Sequence, residues 1–385
     1  MSDPVDVKRD VSKHILIITG EPSGDLHGAN LIREIKRLRP DIGIHAIGGD
    51  RIRAQGVEVL KSCDNMAVVG FWEIFKSIKE VYDAYRKAID FIKERRPELI
   101  ILIDYPGFNL RIAKIAKRYG IKVLYYILPQ MWAWREGRIR KVKRWVDKAA
   151  VILPFEEEFY KGKGIDVEYV GHPIMDNIYE DDEIDAIIER EDAYPIIGIV
   201  PGSREDEIKR HLKPMLLALE GLKGVYPRIM GLVSVVPDVD YELIEEGTKG
   251  IDVPLKLSKM PLLSLLKICD FAFVSSGTAT LEAAISDTPF VLVYKISPLT
   301  YLMAKLAVRI SNIGLVNLIS GRRIVPELIQ HEFTPSNLIY WTQRILEDTK
   351  MRNDIIRGLR MVKSHLGKKG ASFRTANIAI NLLEG

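Results

Sequence analysis

The chain has 385 residues, with 56 Lys and Arg against 52 Asp and Glu and 47% hydrophobic residues, a composition that buries a core rather than staying disordered. A net charge of +4 over that length gives no argument for a nucleic-acid partner. Cys63 and Cys269 stand alone, which excludes a disulfide framework or a cysteine-rich zinc site; residues 1–13 mix Asp, Lys and Arg unlike a signal peptide, and no uncharged apolar run reaches the ~18 residues of a membrane span.

The first strong signal is the apolar run at 15–19. It is followed by Gly20-Glu21-Pro22-Ser23-Gly24-Asp25 and a stretch over 26–39 in which Leu31, Ile35 and Leu38 recur at helical spacing before Pro40. This strand, glycine loop and helix unit repeats. Residues 43–47 read as a strand before Gly48-Gly49, 74–96 as a helix stopped by Pro97, and 99–103 as a buried strand. Asp104-Tyr105-Pro106-Gly107 and a helix to Tyr119 follow, with strands at 122–127, 149–153 and 167–170. Continuous apolar strands alternating with helices indicate a parallel sheet covered on both faces. Residues 180–192 hold eight acidic side chains against one basic and read as a linker or surface helix. A second series starts with a strand at 196–200, the loop Pro201-Gly202-Ser203-Arg204 and a helix through Leu222. Further strands are expected at 228–236, 255–257, 270–274 and 290–293, and from Thr334 the chain reads as helix. The expected architecture is α/β, with two Rossmann-like doubly wound domains and a helical C-terminus. Ligands of such sheets bind beyond the carboxyl ends of the strands.

The Gly20 loop fits neither G-x-G-x-x-G nor a P-loop. Its glycines, Gly20, Gly24 and Gly28, are four apart, and it is either a tight turn or a backbone cradle at a helix N-terminus for an anionic or hydroxylated ligand. Asp104, directly after a strand, is placed to act as a general base or to cap the next helix; spacing leaves both open. In the second half, Gly202 permits close backbone approach, Ser203 offers a hydroxyl and Arg204 can pair with phosphate. Ser276-Gly277-Thr278 repeats that logic, and Glu282, one turn on, can accept from a ribose diol. Both loops follow strands of one predicted sheet and together favour a nucleotide-diphosphate site. His27, His172 and His211 are scattered, and Asp238-Val239-Asp240 reads as a solvated turn. No metal and no cofactor are expected.

Two further features concern partners. Residues 66–75 hold more apolar side chains than one face can bury, and 135–148 carry seven basic groups against two acidic. Core packing and a solvated helix face are the ordinary explanations. The alternative is an apolar patch (Met66, Val68, Val69, Phe71, Trp72) rimmed by Arg138, Arg140, Lys141 and Lys143, docking on anionic lipid at about 1 kcal/mol per nearby cation. No stacking platform or nucleic-acid motif accompanies the basic stretch, so no nucleic acid is expected.

In order, the chain carries Gly20-Glu21-Pro22-Ser23-Gly24-Asp25, Ile103-Asp104-Tyr105-Pro106-Gly107-Phe108-Asn109, Pro129-Gln130-Met131-Trp132-Ala133-Trp134-Arg135 and Gly171-His172-Pro173. Pro201-Gly202-Ser203-Arg204, Ser276-Gly277-Thr278-Ala279-Thr280-Leu281-Glu282 and Asn317-Leu318-Ile319-Ser320-Gly321 continue the series. From about residue 15 to 330 this resembles the lipid-A-disaccharide synthase family. The resemblance implies a GT-B glycosyltransferase whose two domains face a cleft. Residues 1–172 would take acceptor and lipid, 173–365 the UDP-sugar, and a helix over 366–385 would pack back on the first domain. It implies inverting, metal-free condensation of UDP-2,3-diacylglucosamine with 2,3-diacylglucosamine 1-phosphate, giving a β(1→6) disaccharide and UDP. It also implies a homodimer, cytoplasmic and peripheral to the anionic inner-membrane surface. Asp104 matches the carboxylate proposed as base. Arg204, Ser276, Thr278, Glu282 and Asn317 match positions lining the UDP site, and the loops with Ser23, Gly24, Asp25, Asn109, Gln130 and Trp132 fall to the acceptor side. Some members carry a second Asp where this chain has Gly107, so no role for a second carboxylate transfers. The competing readings are a UDP-sugar 2-epimerase or peptidoglycan-precursor transferase of the same architecture, and a membrane-surface binding protein without catalysis.

Overall fold

The computed structural model describes residues 13–63, 73–129, 131, 136–178, 193–236, 241–297, 301 and 313–385. Met66, Val68, Val69, Phe71, Trp72, Gln130, Trp132, the acidic stretch 180–192 and the Asp238–Asp240 turn lie outside the described residues. The chain divides into two compact units: one runs to Asn177 and takes in Leu366–Gly385, and the other is Ile178–His365.

In the first unit the elements are β1 (Lys13–Ile18), α1 (Pro22–Leu38), β2 (Ile42–Gly48), α2 (Asp50–Arg53), β3 (Glu58–Ser62), α3 (Glu73–Arg95), β4 (Leu99–Ile103) and α4 (Pro106–Arg118). After them come β5 (Lys122–Tyr126), α5 (Ile139–Trp145), β6 (Lys148–Val151), α6 (Pro154–Gly162) and β7 (Val167–Tyr169). All seven strands are parallel, in the order β3-β2-β1-β4-β5-β6-β7. Every residue of β4 is buried because side chains alternate across a strand and both faces are covered. Leu16, Ile100, Leu102 and Tyr125 enter one core, while Ile15, Ile17, Ile101 and Tyr126 enter the other. The terminal helix, Ala371–Glu384, feeds Ala376, Ile378, Ala379 and Leu383 into that second core. Its first turn is held by Asp176, whose carboxylate accepts from the backbone N–H of Gly370, Ala371 and Ser372 at 2.6, 3.1 and 2.8 Å.

The second unit contains β8 (Ile196–Val200), α7 (Glu205–Leu222), β9 (Met230–Ser234), α8 (Tyr241–Thr248), β10 (Leu255–Ser258), α9 (Leu262–Ile268), β11 (Phe271–Ser275) and α10 (Ala279–Ile285). It continues with β12 (Phe290–Tyr294), α11 (Leu315–Ser320), β13 (Glu327–Ile329), α12 (Pro335–Glu347) and α13 (Thr349–His365). The terminal helix of the first unit is therefore α14. The strand order is β10-β9-β8-β11-β12-β13, again parallel. In both sheets the strand order thus reverses once, between β1 and β4 in the first unit and between β8 and β11 in the second. Crevices at such reversals are where open α/β sheets take ligands.

Two local features differ from the sequence reading. Helix α1 begins at Pro22, not near residue 26, since a proline at the first helical position has its φ preset and no N–H to leave unpaired. Ser23, Gly24 and Asp25 are therefore helical. Strands β3 and β13 were also unexpected. β3 is a half-buried edge strand holding Glu58 and Lys61, and β13 is three residues with a buried glutamate; neither shows the apolar run that marks the central strands.

Candidate active site

The first crevice gathers the loops after β1 and β4. Asp104 and Tyr105 both sit in the left-handed region, at φ 47° and 46°, where a residue other than glycine costs about 1–3 kcal/mol and calls for surrounding support. That support is visible. Asn109, fully buried, donates its Nδ2 to the carbonyls of Ile103 at 3.1 Å and Asp104 at 2.7 Å. The Tyr125 hydroxyl donates to the same Asp104 carbonyl at 2.6 Å. Tyr105 packs so closely on Gly20 that a Cβ there would lie 2.4 Å from its ring, which is why the β1 loop needs glycine at that point. The N-cap residue of α4 is Tyr105, without a side-chain hydrogen bond, and not Asp104. Burial first, and the neighbouring Glu21 carboxylate second, push its pKa up from 3.8 to about 6, against a hydrogen bond from the Tyr105 backbone N–H. A carboxyl tuned toward neutrality at a strand end suits general-base work. Sequence reasoning did not single out Glu21; the only signal was its place one residue after Gly20, in the loop that follows β1, the neighbour of β4.

The other residues expected at this crevice divide. Ser23 is exposed on the first turn of α1 and Gly24 is buried. Asp25 is buried with its carboxylate turned inward, accepting from the backbone N–H of Gly49 at 2.7 Å, Arg51 at 3.0 Å and Ile52 at 3.3 Å. It holds the start of α2, and the expectation that it meets a ligand is corrected accordingly. Gly107 is exposed, and a Cβ there would meet nothing within 4 Å.

The second crevice gathers the loops after β8 and β11. Gly202 has φ 131°, and a Cβ would fall 2.5 Å from Glu207 Oε2. Glu207 accepts from the Ser203 N–H at 3.2 Å and lies 3.6 Å from the Arg204 guanidinium. Ser203 and Arg204 are exposed. Under this loop His211 is fully buried. Its Nδ1 lies 2.7 Å from the Pro201 carbonyl, while its Nε2 accepts the Lys295 N–H at 3.0 Å. That pattern needs a neutral ring with the proton on Nδ1, which burial favours by lowering the pKa. His211 thereby ties the loop after β8 to the end of β12. Neither Glu207 nor His211 was read as functional; their positions at i+3 and i+7 from Arg204 on α7 were the available signal. After β11, Gly277 is exposed at φ 150° with open space where a Cβ would sit. Ser276 donates its N–H to the Val293 carbonyl at 2.9 Å, Thr278 is exposed, and the Thr280 hydroxyl donates to the Gly277 carbonyl at 2.7 Å. Burial raises the Glu282 pKa to about 7, against a hydrogen bond from Leu263.

Asn317 departs from its expected role. It is fully buried. Its Nδ2 donates to the Val325 carbonyl at 3.0 Å and to Glu327 at 2.8 Å, and its Oδ1 accepts from the N–H groups of Ile324 at 2.7 Å and Val325 at 3.1 Å. Glu327 in turn accepts from the N–H groups of Ile313 and Gly314 at 3.0 and 2.9 Å. With every amide group engaged, Asn317 is a strut at the start of α11 and has nothing left to offer a nucleotide. Of the basic residues, Arg138 is half-buried and Arg140, Lys141 and Lys143 are exposed.

Against this geometry the comparisons are informative. The pattern described as lipid-A-disaccharide synthetase matches residues 15–374. The chain belongs to the lipid-A-disaccharide synthetase family. Lipid-A-disaccharide synthase of Geobacter metallireducens is 40% identical over 378 residues, covering 97% of this chain and 98% of the relative. That of Trichlorobacter lovleyi is 38% identical over 375 residues, covering 97% and 98%. Among solved structures, the glycotransferase of kitacinnamycin aligns at a TM-score of 0.66 with 14% identity, over 96% of this chain and 99% of that one. UDP-GlcNAc 2-epimerase from Neisseria meningitidis bound to UDP-GlcNAc aligns at 0.64 with 12% identity, over 96% and 100%. At such identities the likeness is one of fold, the GT-B pair of parallel-sheet α/β domains, and does not separate transferases from epimerases. Family membership does: the chain is a glycosyltransferase of lipid A disaccharide synthesis, working on a UDP-sugar and a lipid-linked sugar.

Proposed function

We propose that Asp104 is the base of an inverting transfer in which the 6-hydroxyl of 2,3-diacylglucosamine 1-phosphate attacks the anomeric carbon of UDP-2,3-diacylglucosamine. The Asp104 carboxylate takes the hydroxyl proton, the β(1→6) bond forms as the anomeric C–O bond to diphosphate breaks, and UDP leaves. The single observation carrying this reading is the Asp104 turn, a left-handed pair of residues braced by Asn109 and Tyr125 with its carboxyl shifted to about 6. The first unit is the acceptor domain on this reading and the second the UDP-sugar domain. Ser203, Arg204, the Ser276 side chain and the backbone at Gly202, Gly277 and Thr278 meet the diphosphate, and Glu282 accepts from the ribose hydroxyls. A metal-free mechanism is part of the proposal. It is supported by the cation and N–H groups of these loops, which can stabilise the leaving diphosphate.

The enzyme on this reading works as a homodimer at the cytoplasmic face of the inner membrane. No helix among the described residues is long and apolar enough to cross a membrane. Contact falls to the apolar stretch 66–72 and to the exposed Arg140 and Lys143. Incubating the chain with both defined substrates tests the chemistry: disaccharide and UDP should form in equal amounts, and UDP-sugar isomerisation without disaccharide would overturn it. Co-sedimentation with phosphatidylglycerol vesicles should fall as salt rises, and sedimentation velocity should give twice the chain mass.

A further inference from the structure

One cluster of charge in the first unit is left over by the chemistry above. Helices α4 and α5 border a cleft of about 430 Å³ into which Arg111, Lys114, Arg118, Arg138 and Lys141 project, with no carboxylate in its lining. The five come from matched faces, at i, i+3 and i+7 along α4 and at i and i+3 into α5, so each helix turns one cationic stripe to the same space. Among the described residues none of the five has a carboxylate at ion-pair distance. Lys117, one residue off the stripe on α4, is paired with Asp147 at 2.5 Å. Like charges at these spacings repel, and with Lys117 paired while these five find no carboxylate among the described residues, the cluster suits an anion from outside. The floor is not an ordinary solvated surface either: Leu110 is buried, Tyr85, Ile115 and Trp145 are half-buried, and Lys114 lies 5.8 Å from the Trp145 ring centre.

The cleft is also continuous with the Asp104 turn. Pro106 and Gly107, directly after Asp104 and Tyr105, form part of its wall. Arg138 acts electrostatically on Tyr125, the residue whose hydroxyl holds the Asp104 carbonyl. The lining thus runs from the cations past aromatic and aliphatic side chains to the residues that follow the Asp104 turn. Resting on the acceptor assignment above, we infer that this cleft binds the phosphomonoester of the lipid-linked acceptor and so orients its far hydroxyl toward Asp104. Arg111, Lys114, Arg118, Arg138 and Lys141 are positioning residues, not groups that move protons. The basic segment is thereby divided in two. Arg138 and Lys141 serve the substrate, while Arg140 and Lys143 lie outside the lining.

The same chemistry would suit the phosphate of a bulk anionic lipid, and the experiment separates the two. The full chain and its Lys114→Ala/Lys141→Ala variant are assayed in neutral detergent micelles with the phosphorylated acceptor and with the same acyl sugar lacking phosphate. The expected result is an acceptor KM raised about tenfold or more, the scale of losing charge-assisted hydrogen bonds, with donor KM unchanged. The unmodified chain should strongly prefer the phosphorylated acceptor, and the variant should lose most of that preference. Equal KM values for chain and variant overturn the inference. So does a variant that is normal in micelles but no longer sediments with phosphatidylglycerol vesicles, which would assign the cleft to the bulk membrane. Failure of the unmodified chain to make disaccharide from either acceptor counts against the proposed function instead. In that case NMR titration with glucosamine 1-phosphate still reads the cleft, through shifts of the Trp145 indole that the variant should abolish. Circular dichroism melting of the variant guards against misfolding, and Lys114→Arg/Lys141→Arg should restore part of the preference.

Discussion

The two crevices share a topology and differ in almost everything else. In the first unit the loops beyond β1 and β4 close on the Asp104 carboxyl. Gly20 has no room for a Cβ, Asp104 and Tyr105 hold left-handed backbone, and burial carries the Asp104 pKa to about 6. In the second unit the loops beyond β8 and β11 open outward. Gly277 is exposed with free space around it, and Ser203, Arg204 and Thr278 face solvent. A base gains strength from being withdrawn from water, whereas a diphosphate needs exposed N–H groups and a reachable guanidinium. The same strand order is thus tuned toward low polarity in one unit and toward anion access in the other.

The largest effect should come from removing the base. Asp104→Asn should lower kcat by about 10²–10⁴-fold while UDP affinity, measured by calorimetry, stays within error; near-normal turnover would end the base assignment. A second readout follows from the pKa. The Asp104 carboxyl is raised from 3.8 to about 6 in the fold, so its ionisation disfavours the native state. The associated stability is present below about 3.8 and lost as pH rises through about 6. Asp104→Asn should therefore raise the melting temperature at pH 8 and leave it unchanged near pH 3. The gain is bounded by about 3 kcal/mol, since each pKa unit corresponds to about 1.4 kcal/mol.

Next in size is the open crevice. Arg204→Ala should weaken UDP binding about tenfold or more, the scale of a charge-assisted hydrogen bond, with kcat at saturating donor much less affected. UDP affinity equal to that of the unsubstituted chain would remove Arg204 from the nucleotide site. Asn317→Ala offers the contrast. As a buried strut it should lower stability by about 1–3 kcal/mol in urea titration, and any loss of UDP affinity should track unfolding rather than a missing contact.

How much of this was legible in the residues depends on what each residue does with its side chain. The central strands announce themselves, because burial on both faces demands unbroken apolar runs such as Leu99-Ile100-Ile101-Leu102-Ile103. Edge strand β3 and short β13 could not be read, since their partners and not their own composition make them strands. Asp104 was visible as a polar residue ending an apolar run. Its neighbour Glu21 was not, because the meeting of β1 and β4 is a fact of topology, eighty residues apart in the chain. Asp25 and Asn317 show the opposite limit. A motif position says that a polar group is needed, but only the fold reveals that Asp25 faces three backbone N–H groups and Asn317 the β13 end.

The smallest expected effect is the most discriminating between burial and charge as the source of the Asp104 shift. Glu21 is the second cause after burial, so Glu21→Gln should remove the repulsion and leave the desolvation. The acid limb of kcat/KM, expected near pH 6 because Asp104 must be ionised to take a proton, should then move to lower pH by less than the full shift, on the order of half a unit. Above the limb the rate should fall slightly, since a weaker base accepts the proton less readily. A limb that stays in place would mean burial alone sets the pKa. A limb that vanishes together with turnover would mean the roles of the two carboxyls have to be exchanged.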